Sequence, residues 1–296
     1  MAIRRTTSWL TLLALILAGS ATAQAQQFQP FGPAGEEAEF EWFAPPEQGN
    51  FGEPAPDPNY GFFFNYERLY WNMTGPVGSD HPFDGWWGWG NRFDFGYMGD
   101  NDSGWLATYE YLDGPTASNR ERTVPVTQFF QKFGTVEVLK TWRLDQGHRG
   151  GWWEPMVGVR YTYFNQTSMI ETDFVNVYSK VLNNMVGPEI GLRWFRQRGR
   201  WLVSADGRFF AGFNNQAFNF YDETAFVPAT EVRLQATYEL FKSAYLTFGY
   251  TGTFLCDGVG QVGLGEDFST GEIFGIDDSN AHLFTNGVNF GFCINR

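Results

Sequence analysis

A closed antiparallel transmembrane β-barrel of about ten strands is the fold this sequence predicts. Three features carry the prediction: an export signal at the amino terminus, period-two alternation that recurs after Tyr60, and connections that alternate between short and long.

The chain opens with Arg4 and Arg5, continues with an apolar run over 9–18, and reaches the small residues Ala21, Thr22 and Ala23. That order reads as a secretory signal over 1–23 with cleavage after Ala23; Ala23-Gln24-Ala25 offers a second site, after Ala25. A retained membrane anchor needs about 20 apolar residues, roughly twice this run. Residues 24–59 are rich in Pro, Gly and Glu, as in Glu53-Pro54-Ala55-Pro56-Asp57-Pro58. They read as a flexible periplasmic leader, because Pro removes ladder donors and so polar a segment cannot bury a core. Phe40, Trp42 and Phe43 read as incidental aromatics on that tail.

The barrel itself is expected over 60–296. Its clearest strand is 231–240, where Val232, Leu234, Ala236, Tyr238 and Leu240 alternate with Glu231, Arg233, Gln235, Thr237 and Glu239. Successive strand side chains point to opposite faces, so this segment has one lipid-compatible face and one polar face; a helix would scatter the same charges all round. The same rhythm marks 61–71, 93–97, 105–112, 136–142, 157–164, 186–195, 201–213, 246–254 and 282–293. The total is even, as closed bacterial barrels require, and becomes eight or twelve if the first strand or 123–133 is read otherwise.

The connections supply an independent signal. In chain order, 72–90 is long, 99–103 short, 113–131 long, 144–151 short, 166–183 long, 197–199 short, 214–229 long, 242–243 short and 256–281 the longest. Tight periplasmic turns alternate with extended outer loops in this way, whereas a sandwich with both ends in water has no reason to sort its loops by parity. In the last strand Thr285, Gly287, Phe290 and Phe292 resemble the carboxy-terminal signal read by the outer-membrane insertion machinery, here with four residues following Phe292.

Composition agrees. No later segment approaches a membrane helix, and mean hydropathy is negative, which a barrel tolerates because only alternate residues meet lipid. Aromatic residues make up 19% of the chain, enough to supply interfacial girdles. A net charge of −13 argues against nucleic acid as a partner.

The stretch Gly187-Pro188-Glu189-Ile190-Gly191-Leu192-Arg193-Trp194, with Arg198-Gly199-Arg200-Trp201 and Gly207-Arg208-Phe209-Phe210-Ala211-Gly212-Phe213-Asn214 after it, resembles the outer-membrane β-barrel porin family of planctomycete bacteria. Glu231-Val232-Arg233-Leu234 and Gly249-Tyr250-Thr251-Gly252, ahead of Asp257-Gly258, are similar to its later hairpin. The likeness covers chiefly the carboxy-terminal half and implies an outer-membrane barrel, without assigning a pore or a solute.

Assigning apolar side chains to lipid leaves Arg92, Asp94, Glu137, Arg143, Arg160, Glu189, Arg193, Asp206, Arg208, Glu231, Arg233 and Glu239 to line the lumen. In a barrel this narrow such groups either interlock as a polar core or form a charge-selective constriction, and the filled or very narrow lumen is the expectation. His81 with Asp80 and Asp84, and His282 after Asp277 and Asp278, are expected at one outer rim, where a His–carboxylate pair is able to activate water. No nucleophile motif supports acyl transfer, so the chain is expected not to be an enzyme. Asp100-Asn101-Asp102-Ser103-Gly104 lacks the distal acid of a calcium loop and reads as a tight turn. His148 sits in another inner turn, and Trp86, Trp87 and Trp89 read as part of an aromatic belt. Glu266-Asp267 and Asp277-Asp278 are candidate outer-loop sites for divalent cations; no cofactor or resident metal is expected. Cys256 and Cys293 are expected at opposite ends of the barrel, too far apart to pair.

The expected function is therefore that of an outer-membrane protein: a narrow porin-like channel or largely plugged barrel for small ions or solutes. A surface-exposed structural or adhesion barrel is the alternative, and a rim-located hydrolase the third reading. Membrane lipid and the insertion machinery are the expected partners.

Overall fold

The computed structural model describes residues 60–74, 86–119, 126–145, 151–171, 176–219, 221–241, 243–267 and 272–295. The signal and leader expected over 1–59 lie outside these residues, as do His81, its neighbours Asp80 and Asp84, and His148.

Ten strands follow one another: β1 (Gly61–Met73), β2 (Trp86–Met98), β3 (Ser103–Asn119), β4 (Val126–Trp142), β5 (Trp152–Glu171), β6 (Asn176–Arg198), β7 (Trp201–Phe218), β8 (Asp222–Phe241), β9 (Ala244–Asp267) and β10 (Glu272–Asn295). Each pairs antiparallel with its sequence neighbours, and β1 pairs with β10 from Phe63↔Asn295 to Met73↔Thr285, so the sheet is a closed barrel. No helix among the described residues is long and apolar enough to cross a membrane. Strands cross instead, and closure removes the two edges whose unpaired N–H and C=O groups hydrocarbon does not tolerate.

The outward face carries an apolar belt. On β6 it runs through Val186, Ile190, Leu192 and Trp194; on β8 through Val232 and Leu234; on β9 through Leu246, Phe248 and Tyr250, all exposed or half-exposed. The β6 stretch is about nine residues, close to the ~9–11 that a tilted strand needs to span the hydrocarbon. Aromatic residues bound it at both ends. Trp142, Trp153 and Trp201 face outward near the short turns, and Trp87 and Trp89 do so at the other end, with Tyr70 4.8 Å and 4.6 Å from them.

The strands are much longer than this belt, and here the structure corrects the sequence reading. Four of the five stretches expected to be long outer loops are continuing ladders. Asn119 pairs with Thr127, Glu171 with Asn176, Ala217 with Asp222, and Asp267 with Glu272, so these four connections are short and their hairpin arms long, while twelve residues, 74–85, still join β1 to β2. Glu266, Asp267, Asp277 and Asp278 accordingly lie on the paired arms of β9 and β10, not in a loop. The period-two signal fades there for a physical reason. Past the belt the outward positions leave hydrocarbon, so Lys180 and Asn184 on β6 and Thr224 on β8 stand exposed where an apolar residue would otherwise be needed.

At the opposite end the turns are tight. Asp102 takes a positive φ of 55° between Gly99 N–H donating to the Ser103 carbonyl (3.1 Å) and Asp102 N–H donating to the Gly99 carbonyl (3.1 Å). Gly199 takes the same φ between β6 and β7. Cys293 pairs with Tyr245 near this end, whereas Cys256 follows Leu255, which pairs with Leu283 ten β10 residues away, and both thiols are free.

The β1–β10 seam depends on a close approach at Gly291, where a β-carbon would collide with the Tyr66 carbonyl and come within 2.8 Å of Glu67 Cα. Gly291→Val is expected to cost about 2–3 kcal/mol through overpacking against backbone. The check is an unfolding curve in detergent: the midpoint falls relative to wild type, while Gly207→Ala, an outward position with nothing within 4 Å of the added carbon, leaves it nearly unchanged.

Candidate functional site in the barrel lumen

Inward side chains fill the barrel in layers. Nearest the short turns is a chamber of about 200 Å³, reaching from Gly61 and Asn295 at the barrel end to Asp94 and Arg233. Its wall includes Trp105, Trp152 and Phe195, the last two stacked at 5.5 Å. Glu239 lines it too.

Above the chamber lies a web of buried charges. Arg160 is bound by three carboxylates from three other strands: Glu231 at 2.9 Å, Glu137 at 3.4 Å and Glu189 at 3.4 Å. Arg208 pairs with Glu137 and, at 2.8 Å, with Asp206, which also takes Arg193 at 3.3 Å. Arg193 continues to Glu154 at 3.7 Å, which holds Arg143 at 2.9 Å. Arg233 links Glu231 at 3.2 Å to Asp94 at 3.7 Å. Arg92 pairs with Glu110 and with Glu67 at 3.2 Å, and the Asn65 amide donates to both Glu67 and Asp94, joining the two groups.

Strand register places these partners. Arg92 sits opposite Glu67 and Glu110, Glu137 opposite Arg160, Arg193 opposite Asp206, and Arg208 opposite Glu231. Opposite charges on facing positions of adjacent strands are favourable. The contacts of Arg160 with Glu231 and of Arg208 with Glu137 cross the lumen instead, which only a narrow, closed cross-section allows.

All twelve charged residues assigned to the lumen from the sequence face inward, and eleven of them stand in this web; Glu239 lies below it in the chamber. Sequence reasoning missed Glu67, Glu110 and Glu154, each on the inward parity of its strand and each pairing with an arginine. With them, six guanidinium groups face eight carboxylates.

Beyond the web the sequence reading needs a second correction, because apolar side chains do not all go to lipid. Leu69, Trp71, Leu112, Phe133, Phe164, Met185, Phe210 and Leu255 are buried inward and form one apolar cluster across the lumen. The guanidiniums of Arg92 and Arg160 lie 5.2 Å and 5.8 Å from the rings of Trp71 and Phe210, tying that layer to the charges.

Toward the end away from the short turns, side chains of other strands reach the β9 backbone inside the barrel. The pairing of β9 with β10 shifts register around Ala281, and Gly258 takes a φ of +106°. The β9 backbone there is held by amides from the other side of the barrel. Asn214 and Gln216 donate to the Gly258 carbonyl at 2.9 Å and 2.6 Å, and Asn183 donates to Gly260 O at 2.8 Å and accepts from Gly260 N at 2.7 Å. Gln166 accepts from Val262 N at 3.0 Å. These amides bond β9 backbone groups beyond Leu255, where the pairing of β9 with β8 has ended.

The remaining sequence-assigned residues are dispersed. Thr285 and Gly287 point inward and Phe290 and Phe292 outward on β10. His282 is exposed, 6.0 Å from the Phe254 ring. Trp87 and Trp89 belong to the outward belt of β2; the side chain of Trp86 lies outside the described set.

No family model and no curated protein matches the chain. Among solved structures it is similar to the outer membrane protease OmpT from Escherichia coli, with 8% identity and a TM-score of 0.54, over 81% of this chain and 99% of that one. Neisserial surface protein A matches at 9% identity and a TM-score of 0.33, covering 80% and 97% of the two chains. The toluene transporter TodX of Pseudomonas putida matches at 10% and 0.27, covering 86% and 97%. The first of these shows that the fold is that of an outer-membrane β-barrel. It also overturns the expectation that the chain is not an enzyme: the same barrel architecture carries a protease, and a missing nucleophile motif excludes nothing in such a fold.

Removing Arg160 takes a counter-charge from three buried carboxylates: Glu137 keeps Arg208 and Glu231 keeps Arg233, whereas Glu189 loses the arginine it pairs with. Arg160→Met is expected to destabilise the barrel by roughly 3–5 kcal/mol, whereas pairing it with Glu189→Leu recovers part of that loss because the carboxylate left without an arginine is removed as well. Urea unfolding of the two variants in the same detergent checks the order.

Proposed function

We propose that this protein is an outer-membrane barrel with a lumen closed at rest, a structural scaffold that carries long hairpin arms on the outer side, and not an open diffusion pore. The observation that supports it is the stacking of three barriers along one lumen: the charge web around Arg160, the apolar cluster around Trp71 and Phe210, and the β9 segment pinned by Asn183, Asn214 and Gln216. A hydrated ion meets desolvation at the second barrier and backbone at the third.

The outer membrane is the location that suits this chain. An export signal precedes a closed barrel with an apolar belt, and Thr285, Gly287, Phe290 and Phe292 supply an insertion signal on the final strand. The short turns then face the periplasm, and the arms of β5–β6, β7–β8 and β9–β10 extend outward. The resemblance of 187–194 and 207–214 to the planctomycete porin family accords with this placement and with a barrel whose lumen need not conduct.

Two measurements test the reading. Detergent-extracted protein is expected to run faster on a denaturing gel unboiled than boiled, the signature of a closed barrel. In planar bilayers the wild type is expected to give no resolved conductance steps. Steady ohmic steps from heat-modifiable protein would overturn the closed lumen and leave the barrel standing.

A further inference from the structure

The outward face of the barrel is not uniformly bulky. On β7, Ala205 and Gly207 are successive outward positions, and they leave a groove of about 360 Å³ walled by Trp153, Leu192 and Trp194 on one side and Val232 on the other. A β-carbon at Gly207 would meet nothing within 4 Å, and its φ is not among the positive ones. Neither crowding nor backbone conformation therefore requires glycine there, although glycine weakens a strand. What its missing side chain leaves is the groove.

Register sets the depth of the groove and what lies beneath it. Leu192 is opposite Gly207, Trp194 opposite Ala205, and Gly207 opposite Val232, which places the groove in the half of the apolar belt nearer the short turns. Trp153 and Trp194 face each other across β5 and β6, at the level where indole rings favour the headgroup boundary. One step further toward the turns on the same outward face is Arg196, opposite Val203, exposed and with no ion-pair partner among the described residues. Two strand residues span about 6.6 Å, so the guanidinium stands at headgroup level directly below an apolar trough.

We propose that this groove is a specific site for an anionic phospholipid of the periplasmic leaflet, its acyl chain lying over Gly207 between Trp194 and Val232 and its phosphate paired with Arg196. The inference rests on the outer-membrane reading, which sets the leaflet. A second copy of the chain suits the surface less well, because a two-fold contact through the groove brings two Arg196 guanidiniums toward each other.

The test is native mass spectrometry of the full-length protein in detergent, with equimolar phosphatidylglycerol and phosphatidylethanolamine added. The wild type is expected to retain phosphatidylglycerol about fivefold over phosphatidylethanolamine. Arg196→Gln abolishes that preference, and Gly207→Phe, whose ring occupies the groove, lowers retention of both lipids. Equal retention by the wild type overturns the site whether or not the variants fold, as does an unchanged preference in both variants. A dimer in the wild-type spectrum that Gly207→Phe removes also overturns it, giving the groove to a second copy. Heat modifiability is read on the same samples, so a heat-modifiable protein without lipid preference counts against this site and not against the barrel.

Discussion

Every backbone N–H and C=O that lies in hydrocarbon must find a partner within the protein, and the rest of this structure depends on that constraint. The β1–β10 seam meets it by pairing Phe63–Met73 with Asn295–Thr285, and the seam exists only because Gly287 and Gly291 let β10 approach the β1 backbone. Once the sheet is closed, alternation along each strand is no longer a preference but a partition: one set of side chains meets lipid and the other is confined in a tube. The confined set must then fill its own space.

That filling uses chemistry of two kinds. Buried arginines and carboxylates do not stabilise a core cheaply, since the desolvation of each ion roughly offsets its pairing. Their placement here gives geometric specificity: Arg160 is held by Glu137, Glu189 and Glu231 from three different strands, so a register slip in any one of them leaves a charge stranded. The satisfaction is incomplete, with one oxygen each of Glu110 and Glu189 and the Arg233 Nε lacking a hydrogen-bond partner in the described structure. The adjoining apolar cluster is the layer in which burial itself is favourable, and its contact with Arg92 and Arg160 makes the two layers one packed plug. Past Leu255 the β9 segment takes side-chain amides of Asn183 and Asn214 where its ladder with β8 has ended.

A barrel so filled shows how little a shared architecture says about use. The likeness to an outer-membrane protease extends over nearly all of that protein at 8% identity, which places the fold and leaves the chemistry to particular side chains. In this chain charged side chains converge inside the tube, and on the outside Gly207 and Arg196 break the uniformity of the belt.

The strand count, the closed topology and the inward charges were written in local alternation, because lipid on one side and a polar interior on the other impose a period of two that any belt strand such as 231–240 displays. The lengths of the arms were not, because outward positions such as Lys180 and Asn184 stand clear of hydrocarbon and carry no apolar signature although their backbones stay paired. Nor was the inner apolar layer: Leu69 and Trp71 look lipid-facing by composition, and only the parity shared with Glu67 on a closed strand turns them inward. Which arginine meets which carboxylate across the lumen, and that Gly258 and Gly260 are held by Asn183 and Asn214, depends on distances between strands remote in the chain. Sequence alone determined which residues share a face; tertiary closure decided which of them touch, because contact across a tube is set by its diameter and shear rather than by spacing along any strand.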